Sequence, residues 1–118
     1  DLGFYFALNT DNRINYGPVL ENIVYRYALA QGCKVSVGRI GKLECDFILR
    51  TPEMSYAYVQ VAMTIMADRS TEEREYRPFE QIRDNYPKYL LTRSDPIQQR
   101  DGIIHANIPE FIQEGRAF

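Results

Sequence analysis

Two oxygen-bearing side chains stand in otherwise apolar segments of this sequence, and they are the first candidates for chemistry. Asp46 lies between Cys45 and Phe47, in a stretch whose alternation predicts a strand, and Asp is depleted in strands. Gln60 lies inside a second apolar stretch of the same kind. Carboxylate and amide oxygens can bind Mg²⁺, and they can equally be held by hydrogen bonds inside a core. The two residues therefore predict either part of a metal site or buried, hydrogen-bonded polar groups.

A helix is predicted over residues 18–31, ahead of both stretches. Pro18 fits the first turn, where its missing N–H costs nothing, and Gly32 suits the end of the helix. Apolar residues recur at helical spacing and form one buried stripe: Leu20, Ile23, Val24, Tyr27 and Ala28. Glu21 lies at the margin of this stripe, so its carboxylate is expected at the edge of the interface between the helix and a sheet.

Three strand-like segments follow this helix and predict an antiparallel meander. The first contains Val35 and Val37 and is joined to the second by a tight connection at Gly41-Lys42. The period of two in residues 43–49 places on one face Leu43, Cys45, Phe47 and Leu49, and on the other Glu44, Asp46 and Ile48. The strand Tyr56 to Met63 places on one face Tyr58, Gln60 and Ala62, and on the other Ala57, Val59, Val61 and Met63.

The remaining sequence predicts a second helix and two further strands. Ser70 to Glu73 fits a capping box, residues 69–75 are interpreted as a solvated helix start, and Pro78 must kink or split the helix. The predicted order is α-β-β-β-α-β plus β-α. It is completed by a strand over residues 88–92, a polar loop, a short strand over residues 103–106 and a last helix from Pro109. His105 has no second ligand at metal-binding spacing and is interpreted as a strand-end side chain.

Five segments together resemble the C-terminal domain of a group of bacterial and archaeal AAA-type ATPases, whose core is similar to the PD-(D/E)XK nuclease fold. These segments are GPVLENIVY (17–25), GKLECDF (41–47), YVQVA (58–62), DNYPKY (84–89) and DGIIH (101–105). The resemblance covers about residues 1–113 and implies an α/β fold, a restriction-endonuclease-like central mixed sheet flanked by helices. It also implies that residues 1–118 form a single domain, a fragment of a longer ATPase chain.

The same resemblance implies a nuclease-like site with two of its four parts altered. Active members pair an acid on the second strand with an acid-x-lysine on the third, and a helix Glu often completes the metal site. Glu21 takes the helix position, Asp46 the first strand position, Gln60 the second acid position and Ala62 the lysine position. Ala62 can neither donate a hydrogen bond nor carry charge, and loss of a positioned catalytic group commonly costs orders of magnitude in rate. Residual Mg²⁺ binding through Glu21, Glu44, Asp46 and Gln60 is expected to be weak.

Composition and charge narrow the function classes. The chain has 118 residues, a net charge of −2 and no basic excess of the kind typical of nucleic-acid binding. Cys33 and Cys45 lack CxxC spacing, so buried reduced thiols and a cytoplasmic protein are expected. The sequence contains no apolar stretch of about 18 residues that would span a membrane, and no phosphate-binding loop, so ATP is expected to bind only in an upstream region.

A non-catalytic accessory domain of a cytoplasmic ATPase is the function expected from these features. Its expected partners are the upstream ATPase domain of the same chain and either a protein partner or nucleic acid. One alternative is a metal-dependent nuclease with a variant site, in which Arg39 or Lys42 replaces the missing lysine. A second is a homodimeric interaction module that associates through an exposed sheet edge or the terminal helix.

Overall fold

The computed structural model describes residues 17–40, 43–66 and 68–118, and within these ranges three helices flank a six-stranded mixed sheet. The elements are α1 (Gly17–Ala30), β1 (Lys34–Ile40), β2 (Leu43–Arg50), β3 (Tyr56–Ala62), α2 (Arg69–Glu80), β4 (Lys88–Thr92), β5 (Gln99–Arg100), β6 (Ile103–Asn107) and α3 (Ile108–Gln113). The predicted α/β class and element order are confirmed, and the two-residue β5 is the one addition. No helix in these ranges is long and apolar enough to cross a bilayer.

The sheet has the strand order β1-β2-β3-β4-β6-β5. The first three strands form the predicted antiparallel meander, whereas β4 runs parallel to β3 and β6 runs parallel to β4. The parallel step from β3 to β4 requires a crossover, and α2 provides it. β5 and β6 form a hairpin whose turn, Asp101-Gly102, has positive φ at both residues, a conformation that Asp-Gly favours.

The helix α1 covers one face of the sheet and creates the larger core, here called the α1 core. Leu20, Val24 and Ala28 are fully buried, as the predicted stripe requires. They pack with Phe47, Leu49, Ala57, Val59, Val61, Tyr89, Leu91 and Phe111. Cys33 also lies in this core as a free thiol. The aromatic rings of Tyr27, Tyr89, Phe111 and Phe118 extend the core toward the last helix.

The helix α2 covers the opposite face and creates the smaller α2 core. Its N-cap is Asp68, two residues before Ser70 of the predicted capping box, and the Asp68 side chain accepts a hydrogen bond from the backbone N–H of Thr71. The helix continues through Pro78 to Glu80, so of the two predicted effects of Pro78, a kink or a split, the split is wrong. Its buried residues Tyr76 and Phe79 pack with Cys45, Ala62, Ile65, Leu90 and Ile103.

A β-bulge in β2 changes which residues of that strand face each core. Ser36 pairs with Ile48 but Gly38 pairs with Cys45, so β2 uses one more residue than β1 between these pairs. Cys45 therefore lies in the α2 core, whereas Phe47 lies in the α1 core. The prediction that these two residues share a face is wrong, because a strict period of two cannot represent the extra residue.

Replacing Gly38 with Ala tests this bulge. A Cβ at Gly38 would lie 2.5 Å from Cγ1 of Ile48, so we expect Gly38→Ala to lower the free energy of unfolding by about 1–3 kcal/mol. Ile48→Ala removes the obstructing atoms, so the effect of Gly38→Ala should shrink in that background, as measured by a double-mutant cycle in urea. The exposed Ser36→Ala is the control, and equal stability of the Gly38 and Ser36 variants would contradict the register.

Candidate functional site

The candidate site lies where strands β2 and β3 stop pairing through their backbones. The last described pair is Phe47 with Val59, and beyond it side chains replace the ladder hydrogen bonds. The backbone N–H of Asp46 donates to Oε1 of Gln60 at 2.7 Å, and the backbone N–H of Val61 donates to Oδ2 of Asp46 at 2.8 Å. Each side chain thus bonds to the backbone of the opposite strand, and we call this arrangement the strand gap.

A buried thiol lies beside the strand gap. The Sγ of Cys45 is 3.4 Å from the carbonyl oxygen of Phe47 and 3.5 Å from that of Val59, and both oxygens accept its hydrogen bond. The pKa of Cys45 is raised to about 11, mainly because the thiol is buried; the two carbonyl hydrogen bonds act against this rise, and the Asp46 charge adds to it. Cys45 is therefore an inert, protonated core residue rather than a nucleophile.

The Gln60 side chain links the strand gap to helix α2. Gln60 is 5% exposed, and its Nε2 donates to Oε2 of Glu75 at 3.2 Å and to the Glu75 carbonyl oxygen at 3.4 Å. The opposite amide orientation would direct its oxygen at these acceptors and its NH₂ group at the N–H of Asp46. A carboxylate at position 60 would likewise face the Glu75 carboxylate. A neutral amide therefore fits this position better than an acid does.

Glu75 is the functional candidate that the sequence analysis missed. Its side chain is 17% exposed, so the interpretation of residues 69–75 as a wholly solvated helix start is wrong. Burial raises the pKa of Glu75, the nearby Arg74 lowers it, the Glu21 charge raises it and the Gln60 hydrogen bond lowers it. A signal was present in the sequence, because Glu75 precedes Phe79 by four residues and so lies on the buried stripe of α2.

Four of the residues named for the nuclease-like site can be placed. Glu21, on α1, is close enough for its charge to affect the pKa of Glu75, while Asp46 and Gln60 bond to each other across the strand gap. Ala62 lies two residues along β3 from Gln60 and is buried in the apolar α2 core. Asp46, Gln60 and Glu75 thus meet at the strand gap, Glu21 affects Glu75 only through its charge, and the lysine position contains only a methyl group.

Metal binding has limited support in the described part of the chain. Among those residues, no three His, Cys, Asp or Glu side chains are grouped closely enough to hold a metal ion. Gln60 Oε1 and Asp46 Oδ2 already accept backbone hydrogen bonds that a metal would compete with. The side chains of Glu44 and Arg39, and all of Lys42, lie outside the described residues.

Tyr58, which shares a face with Gln60, is engaged by the loop between α2 and β4. Its hydroxyl donates to Oδ2 of Asp84 at 2.6 Å, and Nζ of Lys88 lies 5.7 Å from the ring centroid. Burial, followed by the Asp84 hydrogen bond and charge, raises the pKa of Tyr58 to about 12. The Tyr58 hydroxyl therefore stays protonated and acts as a donor to this loop.

A second polar cluster lies at the carboxyl ends of the parallel strands. His105 is buried, and its Nδ1 accepts from the backbone N–H of Gln98 at 2.9 Å. In the neutral ring Nε2 must then carry the proton, which it donates to the Thr92 hydroxyl at 2.8 Å. Thr92 in turn donates to Oδ1 of Asn107, which also accepts from the backbone N–H of Asp95. Both ring nitrogens are occupied, so His105 is a structural residue of β6.

Asp95 extends this cluster to the segment after β3. Its carboxylate accepts hydrogen bonds from the Thr64 hydroxyl and from the backbone N–H of Ile65, both at 2.8 Å. The side-chain NH₂ group of Asn107 donates back to the carbonyl oxygen of Asp95. The cluster thereby ties the chain before α2 to the ends of β4 and β6.

Comparison with known proteins gives one informative relative. No family model matches the chain, and no solved structure matches it. A protein of Haemophilus influenzae named "Uncharacterized protein" is 41% identical over 78 residues, which is 66% of this chain. The matched region is 18% of that relative's length, so the similarity concerns a small part of a much longer protein.

Neutralising Glu75 tests the electrostatics of the strand gap. Because the pKa of Glu75 in the folded chain is raised above 4.5, protonation of Glu75 stabilises the fold. This stabilisation is fully present below pH 4.5 and is lost as the pH rises through the folded-state pKa. We expect Glu75→Gln to stabilise the chain at pH 7 by less than about 1 kcal/mol, since the amide keeps an acceptor for Gln60 and solvent screens part of the charge.

Urea unfolding at pH 7 and at pH 4 measures this gain, which should vanish at the lower pH. Glu73→Gln is the matched control, because Glu73 lies on the same helix but is exposed. A gain of the same size at both pH values would contradict the assignment of a raised pKa to Glu75.

Protonation of His105 should destabilise the chain. Burial lowers its pKa below 6.5, although the Asp95 charge acts in the opposite direction. The neutral His105 ring therefore stabilises the fold fully above pH 6.5, and this stabilisation is lost as the pH falls below 6.5 toward the folded-state pKa. The loss amounts to about 1.4 kcal/mol for each unit by which folding lowers the pKa of His105. Urea unfolding between pH 5.5 and 7.5, a window of about two units around the reference value, measures this loss.

The chain contains one histidine, so its imidazole resonances in NMR are unambiguous. They should report the Nε2–H tautomer. The His105→Gln variant should show a flatter pH dependence of the free energy of unfolding. An Nδ1–H tautomer, or a folded-state pKa at or above 6.5, would refute the hydrogen-bond chain described here.

Proposed function

We propose that this chain is a non-catalytic, PD-(D/E)XK-like accessory domain of a cytoplasmic AAA-type ATPase. In this proposal the nuclease-like scaffold is retained for its surfaces, which contact the ATPase core, a protein partner or nucleic acid. The order of helix, antiparallel meander, crossover helix and parallel strand supports it. So does the meeting of Asp46 and Gln60 at one strand gap, beside a Glu75 carboxylate on which the Glu21 charge acts.

The hydrogen bonds of the Gln60 side chain are the observation that best supports a domain without nuclease activity. Its amide joins the Asp46 N–H to Glu75 and leaves the strand gap internally hydrogen-bonded. A nuclease site needs oxygen atoms available to a metal and a cation to stabilise the transition state. Here the oxygens that would bind the metal secure the two strands to each other, and Ala62 provides no cation.

Two features support the accessory role. The relative from Haemophilus influenzae is several times longer than the matched region, which leaves room for an ATPase region in a protein of this kind. The net charge of −2 favours contacts with protein over contacts with nucleic acid, because nucleic-acid binding depends mainly on clustered Lys and Arg. We therefore place a protein contact first and a nucleic-acid contact second.

A cleavage assay tests the proposal against the variant-nuclease alternative. The chain, Asp46→Ala and the control Glu73→Ala are incubated with supercoiled DNA, single-stranded DNA and RNA in Mg²⁺ or Mn²⁺. We expect all three proteins to show the same background, because Ala62 stands at the lysine position and provides no cation. Metal-dependent cleavage that Asp46→Ala abolishes and Glu73→Ala keeps would overturn the proposal. Circular dichroism confirms that each protein is folded before the assay.

A further inference from the structure

A cavity of about 380 Å³ lies away from the strand gap, between two loops. Its walls are the end of α2, the loop between α2 and β4, and the turn between β5 and β6. The floor is apolar and consists of the buried side chains of Tyr76, Phe79 and Ile103. The cavity is within the size range of small-ligand sites, and an apolar floor with polar groups at the rim is typical of such sites.

The rim of this cavity carries more negative than positive charge. The carboxylates of Glu80, Asp84 and Asp101 line it together with one ammonium group, that of Lys88. Lys88 is already compensated, because its Nζ lies 3.4 Å from Oδ1 of Asp84 and donates to two backbone carbonyls. Glu80 and Asp101 remain as the carboxylates that favour a cationic ligand.

The guanidinium of Arg100, which does not itself line the cavity, contacts three side chains that do, those of Tyr76, Glu80 and Asp101. It lies 4.3 Å from the ring centroid of Tyr76, in a cation–π contact. The same group makes its short ion pair with Glu72 at 3.0 Å, whereas its distances to Glu80 and Asp101 are 4.0 and 3.7 Å. The two rim carboxylates are therefore only weakly engaged by Arg100.

One ring of an exposed aromatic pair lines the same cavity. Tyr86 lines the cavity and is 39% exposed, and its ring meets that of Tyr56 edge to face at 5.3 Å. A flat, partly exposed ring beside carboxylates suits a planar guanidinium, which stacks on aromatic faces and pairs with carboxylates at the same time. An ammonium group can form the ion pair but lacks the planar stacking surface.

We propose that this cavity binds a guanidinium group on an alkyl stem, with the stem over Phe79 and Ile103 and the charge beside Glu80 and Asp101. An arginine side chain of a partner protein and a free alkylguanidine share this chemistry. The inference goes beyond the proposed function and does not depend on it, since no residue of the cavity belongs to the strand gap.

The test is an NMR titration of the ¹⁵N-labelled chain with butylguanidinium and with butylurea, its neutral isostere. Butylguanidinium should shift the amide signals of Tyr86, Gly102 and Ile103, and butylurea should bind more weakly. Glu80→Gln and Asp101→Asn should each weaken butylguanidinium binding about threefold, and added salt should weaken it further. Asn suits position 101 because Asn tolerates the positive φ found there.

Glu73→Gln, a variant of the same helix outside the cavity, should leave the affinity unchanged. A parallel titration with acetylarginine methylamide distinguishes a protein arginine from a free alkylguanidine as the ligand. Affinity equal to that of butylguanidinium points to a protein arginine, and weaker affinity points to a free alkylguanidine. Equal binding of butylurea and butylguanidinium would overturn the proposal. The proposal would also be overturned if butylguanidinium caused the same amide shifts in the Glu80, Asp101 and Glu73 variants. The absence of any shift in a chain whose spectrum shows it to be folded would overturn it as well.

Discussion

The hydrogen bonds that the side chains of Asp46 and Gln60 accept from backbone N–H groups of the facing strand are the interaction on which the rest of this structure depends. Strands β2 and β3 separate beyond Phe47 and Val59, and separated strands leave backbone N–H groups that are costly to bury unpaired. Asp46 and Gln60 satisfy two of these groups across the gap. The same two side chains are the ones that the nuclease-like pattern would assign to metal. Holding the strands and binding a metal are therefore competing uses of the same oxygens.

Glu75 explains why an amide suits the position at which the nuclease pattern has an acid. The Glu75 carboxylate is largely buried beside Gln60, and the Glu21 charge also affects it. A further carboxylate would add repulsion where water cannot screen it well, whereas the amide donates to Glu75 and accepts from Asp46. The identity of residue 60 and the burial of Glu75 are thus one electrostatic arrangement, shared between β3 and α2.

Periodicity was enough to predict most of the fold. The stripe of α1, the alternation of β3 and the strand Lys88–Thr92 follow from local sequence, because burying one face of an element requires a fixed repeat. The prediction failed where that repeat is interrupted. The bulge moves Cys45 to the opposite face from Phe47, and the start of α2 depends on a hydrogen bond that Asp68 accepts rather than on the predicted capping box at Ser70. Bulges and caps are decided by single contacts, which a pattern averaged over several residues does not detect.

The sequence by itself determined the element order, the cores on both faces of β3 and the presence of Asp46 and Gln60 in adjoining strands. It also determined that position 62 has no lysine. Only the tertiary structure decided what these side chains do, since Glu75 is 15 residues from Gln60 along the chain and meets it through the crossover of α2. The cavity between the α2–β4 loop and the β5–β6 turn is likewise a product of packing. Hydrogen-bond partners and cavities depend on distances in space, and local sequence patterns constrain only distances along the chain.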